Sequence, residues 1–380
     1  MGGSFPLFSI RGIMLRVHIT FPLILIWGAI QFGILNGQGL AGAIFGVIVF
    51  ILLFIIVVLH ELGHSFAAQY YGVPVKEIVL LPIGGVARLA SIPEEPLKEF
   101  VIAIAGPLVN FVLAGLLFVV ALASDQEIGN IFDLEGLMAG MTRLSLSSIF
   151  AYVFVSNLFL GIFNLIPAFP MDGGRVLRAL LATQMNYVTA TRIAVVIGQN
   201  LALLFGLWGF LGGGFFIILI AIFIYFGAGQ EAEAVQIRHA LRNLTVEQAY
   251  SREVRTLDPQ STLQDAVDIT LSSFQADFPV CQEGRFMGLL TQSRLLESLN
   301  RQGPQTPVAE VMVTDVTPVS PREEIFAVQQ RMAEGSFAAL PVVEGESFLG
   351  LITSRDINEL YRFVSNQPDL ATSLRRERTA

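Results

Sequence analysis

The chain has 380 residues, of which 53% are hydrophobic and only 14% charged, and its mean hydropathy is +0.65. This composition excludes an ordinary soluble globular protein and predicts a chain that crosses a membrane several times. The net charge of −8 argues against a nucleic-acid partner, and the single cysteine, Cys281, excludes both an intramolecular disulfide and a zinc site built on cysteines.

Six apolar segments predict a polytopic α-helical membrane protein with six transmembrane helices, embedded in a lipid bilayer. They cover residues 17–35, 41–68, 98–123, 145–168, 190–210 and 213–229. The first segment lacks a small-residue cleavage site, so we interpret it as a retained span rather than a signal peptide. After residue 230 the apolar runs stop, and the remaining chain has the composition of a soluble domain.

The positions of lysine and arginine predict how the spans are oriented. Arg11 and Arg16 precede the first span, and the loops 69–97 and 169–189 also carry basic residues. The loop 124–144, by contrast, has four acidic residues against one arginine. Both termini are therefore expected in the cytoplasm, with the ends of spans two and four at the cytosolic face. The plasma membrane is the expected location.

An H-E-x-x-H sequence, His60-Glu61-Leu62-Gly63-His64, follows directly after the uncharged apolar run 41–59. Residues four apart on a helix share a face, so His60 and His64 can bind one metal ion. Glu61 lies about 100° to the side, where a carboxylate can take a proton from water. Because ionisable groups are costly in lipid, their presence indicates function. The pattern predicts a metal site inside the membrane.

A catalytic zinc site needs a third protein ligand and one open position. The candidate is Asp172, in the segment 164–175 (NLIPAFPMDGGR), which follows span four on the same side of the membrane as His64. Pro167 and Pro170 cannot continue a regular helix, and the following glycines permit unusual backbone angles, so the chain can turn Asp172 inward. The alternative is a loop residue that caps a helix.

Both motifs, in this order and spacing, resemble those of the site-2 protease family of intramembrane zinc metalloproteases, over about residues 10–230. The resemblance implies one zinc ion per chain, held by His60, His64 and Asp172, with Glu61 as general base and acid and a core made of spans two to four. It also implies that the substrates are transmembrane proteins cleaved in a locally unwound segment. Membrane-tethered transcription regulators, anti-sigma factors and remnant signal peptides are the candidate substrates.

Two further segments resemble elements of that family. Gly106-Pro107-Leu-Val-Asn110 in span three looks like its G-P-x-x-N element, where Asn110 either polarises the scissile carbonyl or orients the substrate; simple packing is the alternative. Segment 82–87 (PIGGVA) resembles a membrane-associated strand that could pair with an extended substrate, and a plain turn is the alternative. His18, at the start of span one, is interpreted as an interfacial side chain.

The polar half begins with a predicted helical connector, residues 231–244, and then repeats itself at an offset of 62 residues. Helical periodicity at 263–275 and 325–334 is followed in each copy by two short strands, which predicts a duplicated α/β module in the cytosol. The matching pairs are Pro259 and Pro321, Pro279 and Pro341, Phe286 and Phe348, Gly288 and Gly350, and Thr291 and Thr353.

The duplicated region resembles a tandem pair of CBS domains. Residues 350–356 (GLITSRD) match the pattern G-x-[ILV]-[ST]-x-x-D, and the resemblance implies that Thr353 and Asp356 contact the ribose of ATP or AMP. The first copy has Arg294 where the carboxylate belongs, which departs from the pattern. The pair is thus either a nucleotide sensor or a structural module, and paired modules of this kind are compatible with a homodimer.

The predicted division of the chain is a transmembrane metalloprotease domain (1–230), a linker (231–244), CBS domains at 245–303 and 304–368, and a tail (369–380). The function expected from these features is an intramembrane zinc metalloprotease regulated by adenine nucleotide. A CBS-regulated transporter or channel is the alternative, with the His/Glu/Asp cluster as its ion or metal pathway. No inverted repeat of the spans supports that alternative. A catalytically silent scaffold is a third class.

Overall fold

The structure, a computed structural model, describes residues 3–82, 84–89, 93–123, 144–273 and 275–367. It divides into two compact units, Met1–Glu233 and Ala234–Ala380. Two predicted segments lie outside the described residues: most of the acidic loop 124–144, which contributes to the predicted orientation, and the tail 369–380.

The first unit contains a four-stranded sheet with the order β1-β2-β3-β4. Its strands are β1 (Ser4–Ile10), β2 (Ile13–His18), β3 (Val75–Leu81) and β4 (Gly84–Leu89). β2 pairs with β3 in parallel, whereas β1–β2 and β3–β4 are antiparallel. Of the segment 82–87, predicted as a membrane-associated strand or a plain turn, residues 84–87 belong to β4, which is an edge strand of the sheet.

Among the described residues, seven α-helices lie in this unit or start there. They are α1 (Pro22–Ala29), α2 (Gly39–Tyr70), α3 (Pro96–Ala123), α4 (Leu146–Asn164), α5 (Asp172–Ala182), α6 (Tyr187–Trp208) and α7 (Phe215–Leu241). Helix α4 ends earlier than the predicted span 145–168 because Pro167 cannot donate a helical hydrogen bond. Helix α7 runs on through most of the predicted connector.

The count of six transmembrane helices is not confirmed. Five helices among the described residues are long and apolar enough to cross a membrane, namely α2, α3, α4, α7 and α6 with its π-helical extension. The segment predicted as span one begins as the end of β2, and its helix starts only at Pro22 and ends, through a π-helical turn, at Leu35. At 1.5 Å per residue this helix is only about 21 Å long, short of the roughly 30 Å hydrocarbon core. The chain is nevertheless an integral membrane protein by its five long helices.

The sheet packs against α2 and α3 through a common apolar core. Ile13 of β2 and Ile78 of β3 are fully buried in it, together with Leu62 of α2 and Ile102 of α3. A Cβ atom on Gly63 would lie 2.9 Å from the carbonyl oxygen of Ala105, so the glycine permits α2 and α3 to approach closely. This contact is next to His64, and it fixes the two helices that build the site.

The second unit consists of two similar halves, each with a helix, a β-hairpin and another helix, as the repeat predicts. The hairpins are β5 (Phe278–Gln282) with β6 (Arg285–Leu290) and β7 (Ala339–Glu344) with β8 (Ser347–Thr353). The helices are α8 (Leu263–Ser273), α9 (Gln292–Gln302), α10 (Ile325–Gly335) and α11 (Ser354–Asn366).

The segment that precedes each half pairs with the hairpin of the other half. Ser251 forms a bridge with Leu351, and Val313, 62 positions after Ser251, forms the corresponding bridge with Leu289. A Cβ atom on Gly350 would overlap the carbonyl of Ser251, so the repeated glycine makes room for the exchanged segment. Because each half pairs with a segment from the other, the two halves form one structure. The 62-residue repeat alone does not predict this exchanged pairing.

Candidate metal centre

Helix α2 places the two histidines on one face, as the spacing predicts. The Nε2 atoms of His60 and His64 are 3.1 Å apart, and the side chains belong to residues only 4% and 6% exposed. The helix is continuous over 32 residues, so both imidazoles project from a rigid element. Two neutral imidazole nitrogens directed to one point form half of a tetrahedral metal site.

Asp172 completes a triangle of ligand atoms with the histidines. Its Oδ2 atom lies 3.2 Å from Nε2 of His60 and 3.1 Å from Nε2 of His64, and Asp172 is also buried. Zinc bonds of about 2.0–2.1 Å in tetrahedral geometry would separate their donor atoms by roughly 3.3 Å. The three atoms therefore already stand close to the separations that a zinc ion requires, and the donor set, two imidazoles and one carboxylate, suits zinc.

A tight turn between α4 and α5 places Asp172 beside His60 and His64. Asp172 is the first residue of α5, and the turn before it contains a cis peptide bond at Phe169–Pro170. A Cβ atom on Gly173 would overlap the carbonyl of Ile166, and one on Gly174 would lie 2.6 Å from the backbone nitrogen of Phe169. Both glycines are thus required by the close approach of the helix to the turn.

Helix α3 fixes the orientation of both imidazoles. Nδ1 of His60 donates to Oδ1 of Asn110 at 2.5 Å, and Nδ1 of His64 donates to the carbonyl of Ile102 at 2.7 Å. These bonds leave the two Nε2 lone pairs for a metal and hold each ring in one tautomer and one orientation, as hydrogen-bond partners of metal-binding histidines do. The G-P-x-x-N element therefore contacts the metal centre.

The amide of Asn110 is engaged at both ends. Its NH2 group donates to Oδ1 of Asn157 on α4 at 3.2 Å, and Asn157 in turn donates to the carbonyl of Val153 at 2.8 Å. Both asparagines are almost fully buried. Asn157 is not among the residues predicted from the sequence. A polar side chain in the middle of an apolar span is the signal that could have found it.

Gly106 has a different role in the same element. A Cβ atom at Gly106 would overlap the imidazole of His64, including a contact of 2.6 Å with Cε1. Only a glycine allows the ring to lie against the backbone of α3. Asn110 lies one helical turn after Gly106 and contacts His60. Gly106 and Asn110 are thus four residues apart on α3, and they contact two histidines that are four residues apart on α2.

Glu61 lies beside the edge strand of the sheet. It is partly buried, and a Cβ atom on Gly85 of β4 would be 2.8 Å from its Cγ atom. β4 pairs with β3 alone among the described residues, so its other edge has backbone donors and acceptors free of a sheet partner. The predicted general base and the strand that resembles a substrate-binding element therefore lie side by side.

Thr353 and Asp356 form a capping box at the start of α11. Oδ2 of Asp356 accepts from the backbone nitrogen of Thr353 at 2.8 Å and from its hydroxyl at 2.7 Å, and Oδ1 accepts from the hydroxyl of Ser251 at 3.2 Å. In the first copy Thr291 still caps its helix, accepting from the nitrogen of Arg294 at 3.4 Å, but no carboxylate completes the box. The two predicted ribose contacts thus have a local structural role.

The remaining candidate, His18, is the last residue of β2. Its Nδ1 atom lies 2.7 Å from the hydroxyl of Thr20, and it is partly buried. Neither atom belongs to the cluster of metal-binding groups found among the described residues.

Known proteins and protein families match both units of the chain. The model of peptidase family M50 matches residues 48–205, and the CBS domain model matches residues 246–301 and 308–362. A zinc metalloprotease from Methanocaldococcus jannaschii is 37% identical over 357 residues, 94% of this chain and 96% of the relative. Stage IV sporulation protein FB from Bacillus subtilis is 29% identical over 197 residues, 52% of this chain and 58% of the relative. A solved structure of a site-2 protease from M. jannaschii covers 60% of this chain and 95% of its own, with 44% identity and a TM-score of 0.43.

The five long apolar helices, the ligand triangle, the family models and the 37% identical relative define an integral membrane metalloprotease that carries a tandem CBS pair. The chain belongs to peptidase family M50, the site-2 proteases, whose relatives here include named zinc metalloproteases.

Proposed function

We propose that this chain is a zinc-dependent intramembrane endopeptidase that cleaves the transmembrane segments of membrane-tethered proteins. His60, His64 and Asp172 would hold one zinc ion, and Glu61 would act as general base and acid. The ligand triangle, with sides of 3.1–3.2 Å deep in a unit of membrane-spanning helices, is the observation that carries this proposal.

The residues divide the chemistry between them. When bound, zinc supplies Lewis acidity, which acidifies a water molecule and polarises a peptide carbonyl. Glu61 takes the proton from the attacking water and passes it to the nitrogen of the leaving amine. Asn110 holds His60 in the tautomer whose Nε2 atom is free for the metal; we assign it to positioning, and the contact with the scissile carbonyl stays a prediction.

We further propose that the substrate binds in extended form along β4. A helix hides its carbonyl groups in its own hydrogen bonds, so the scissile segment must unwind before attack. The outer edge of β4 can replace the lost hydrogen bonds by strand addition. Because Gly85 lies against Glu61, a peptide on this edge would present its backbone beside the general base.

The second unit is proposed to bind one adenine nucleotide, ATP or AMP, at the copy that contains Thr353 and Asp356. The first copy lacks the carboxylate, because Arg294 replaces it. Isothermal titration of the full-length protein with ATP, ADP and AMP tests this, with Asp356→Ala as the site variant and Arg294→Ala as the control. The proposal requires binding that Asp356→Ala removes. Absence of binding at millimolar nucleotide leaves a structural or dimerising module.

The sidedness and the domain limits belong to the same proposal. The protein would lie in the plasma membrane with both termini on the cytoplasmic side. The domain limits would be 1–230 for the transmembrane domain, 231–244 for the linker, 245–303 and 304–368 for the two CBS domains, and 369–380 for the tail. Homodimer formation through the CBS pair is part of it.

Metal analysis joined to a cleavage assay tests the main function. Purified protein in lipid nanodiscs should contain one zinc ion per chain and cleave a single-span peptide within its apolar segment. His60→Ala and Asp172→Ala should lose both zinc and cleavage. Full cleavage by metal-free protein would contradict the proposal, and so would full retention of zinc by both variants.

A further inference from the structure

A fully buried arginine lies on the helix that carries Asp172. Arg178 is 0% exposed and is six residues further along α5. Six residues correspond to about 600° around the axis and 9 Å along it, so Arg178 projects some 120° away from Asp172. It therefore holds the helix from a side that does not face the histidines.

Arg178 connects α5 to two other helices by charge-assisted hydrogen bonds. Its Nε and Nη2 atoms donate to Oε1 of Glu99 on α3 at 2.8 and 2.5 Å, and its Nη1 atom donates to Oε1 of Glu231 on α7 at 2.6 Å. The guanidinium carbon also lies 4.8 Å from the ring centres of both Phe169 and Tyr187. Such a planar fork between two rings defines one orientation of the side chain.

The cluster is not arranged to satisfy every polar atom. Oε1 of Glu99 accepts both bonds from Arg178 and a third from the hydroxyl of Tyr187 at 3.2 Å. Oε2 of the same carboxylate is buried and has no hydrogen-bond partner within the described ranges. A buried ion pair adds little net stability compared with apolar packing, and an unsatisfied oxygen reduces it further. Stability alone is thus a poor explanation for these charges.

Glu99 links this cluster to the histidines. It lies on the first turn of α3, three residues before Ile102, whose carbonyl orients His64. The Arg178–Glu99 pair therefore joins the helix that orients the imidazoles to the helix that supplies the carboxylate. Helix α5 has only 11 residues and Asp172 is its first residue, so the position of the carboxylate depends on how this short helix is held by its neighbours.

We infer that Arg178 is a positioning residue that sets Asp172 at coordinating distance from His60 and His64 by fixing α5 between α3 and α7. This inference rests on the proposed metal centre. Metal sites tolerate errors of about 0.2 Å in ligand distance, so a small displacement of α5 is expected to weaken zinc binding. Outer partners of metal ligands typically change metal affinity by about 10–100-fold.

Zinc affinity of the full-length protein, measured by competition with a chromogenic chelator, tests the inference. Arg178→Met should bind zinc at least about tenfold more weakly, and Arg178→Lys, which keeps the charge without the fork, should lie between it and the natural protein. Glu231→Leu, which removes one partner at a partly exposed position, should also weaken binding. Cleavage by these variants should recover when free zinc is raised, whereas a loss of folded protein would not be repaired by zinc.

Two matched controls accompany the variants. Arg192→Met removes an exposed arginine from α6, and Glu233→Leu removes an exposed glutamate two residues after Glu231, so both should bind zinc normally. If Arg178→Met does not fold, Glu231→Leu decides. Suppose that Asp172→Asn loses zinc but every folded variant of Arg178 and Glu231 binds zinc as tightly as the natural protein. That result would overturn the inference. Natural affinity in Asp172→Asn would instead overturn the metal centre itself.

Discussion

His60 and Asp172 are 112 positions apart in the sequence, yet His60 Nε2 and Asp172 Oδ2 are 3.2 Å apart in the structure. One residue lies within a long membrane-spanning helix, and the other begins a short helix after a turn rich in proline and glycine. Their convergence inside an apolar unit converts two sequence motifs into a single metal-binding site.

Replacing Glu61 by glutamine should separate metal binding from catalysis. The amide cannot take a proton from water, so Glu61→Gln should lower kcat by about 10²–10⁴-fold. Zinc content should not change, because Glu61 is not among the clustered ligands. Glu95→Gln, at an exposed position, is the control. Cleavage at the natural rate by a purified Glu61→Gln protein would show that another group is the base.

Adding a methyl group to Gly106 should damage the metal centre. The new Cβ atom would overlap the His64 imidazole, so Gly106→Ala should displace that ligand and lower zinc affinity, measured by chelator competition. Gly115→Ala, on the same helix, adds a Cβ with nothing within 4 Å. It should leave zinc binding unchanged and stabilise the helix by about 0.5–1 kcal/mol. Equal zinc affinity in the two variants would contradict the assigned position of His64.

Removing the amide of Asn110 should weaken zinc binding without removing a ligand. Asn110→Ala leaves Nδ1 of His60 buried without its partner, and a decrease of about 10–100-fold in zinc affinity is expected. Asn157→Ala, one hydrogen bond further away, should have a smaller effect. The control is Asn200→Ala, which removes an exposed asparagine whose amide donates to the carbonyl of Val196 on its own helix. A change in KM for the substrate without a change in zinc affinity would contradict the positioning role of Asn110.

Asp277 makes the second unit sensitive to pH. Burial raises the pKa of its carboxyl, although the backbone nitrogen of Gln292 donates to it at 3.1 Å. A raised folded-state pKa means that the stabilising contribution is present below the unfolded pKa of about 4 and is lost as pH rises through the folded value. Asp277→Asn should therefore raise the melting temperature of this unit at pH 8 more than at pH 4.

Thermal melts of the full-length protein with Asp268→Asn as control measure this difference. Asp268 is exposed, so its variant should show no such dependence on pH. A melting temperature for Asp277→Asn that falls below that of the natural protein at pH 8 would mean that the ionised carboxylate stabilises the unit.

Local patterns predicted most of the site. The spacing of His60 and His64 needs only a helix, and the prolines and glycines around Asp172 indicate a turn. The helices and hairpins of the repeated half also follow local periodicity. Its exchanged pairing of Ser251 with Leu351 does not, because two similar sequences do not show which copy pairs with which.

Other features depend on contacts that a sequence does not reveal. The N-terminal apolar segment was predicted as a span, but its first residues complete β2, which pairs with β3 about 60 residues later. The sequence identifies Arg178 only as one of the basic residues of the predicted loop 169–189, although this arginine is buried and paired with Glu99. At the N-terminal segment, pairing with β3 overrode the local preference for a helix. Arg178 is buried because its partner, Glu99, comes from a helix 79 residues earlier in the chain.

X-ray absorption spectroscopy at the zinc edge, on full-length zinc-loaded protein in nanodiscs, tests the central claim most directly. The account predicts a four-coordinate ion with two imidazole nitrogens and carboxylate oxygen at about 2.0–2.2 Å, and an altered first shell in Asp172→Ala. A shell without two imidazoles, or a spectrum that Asp172→Ala leaves unchanged, would contradict it.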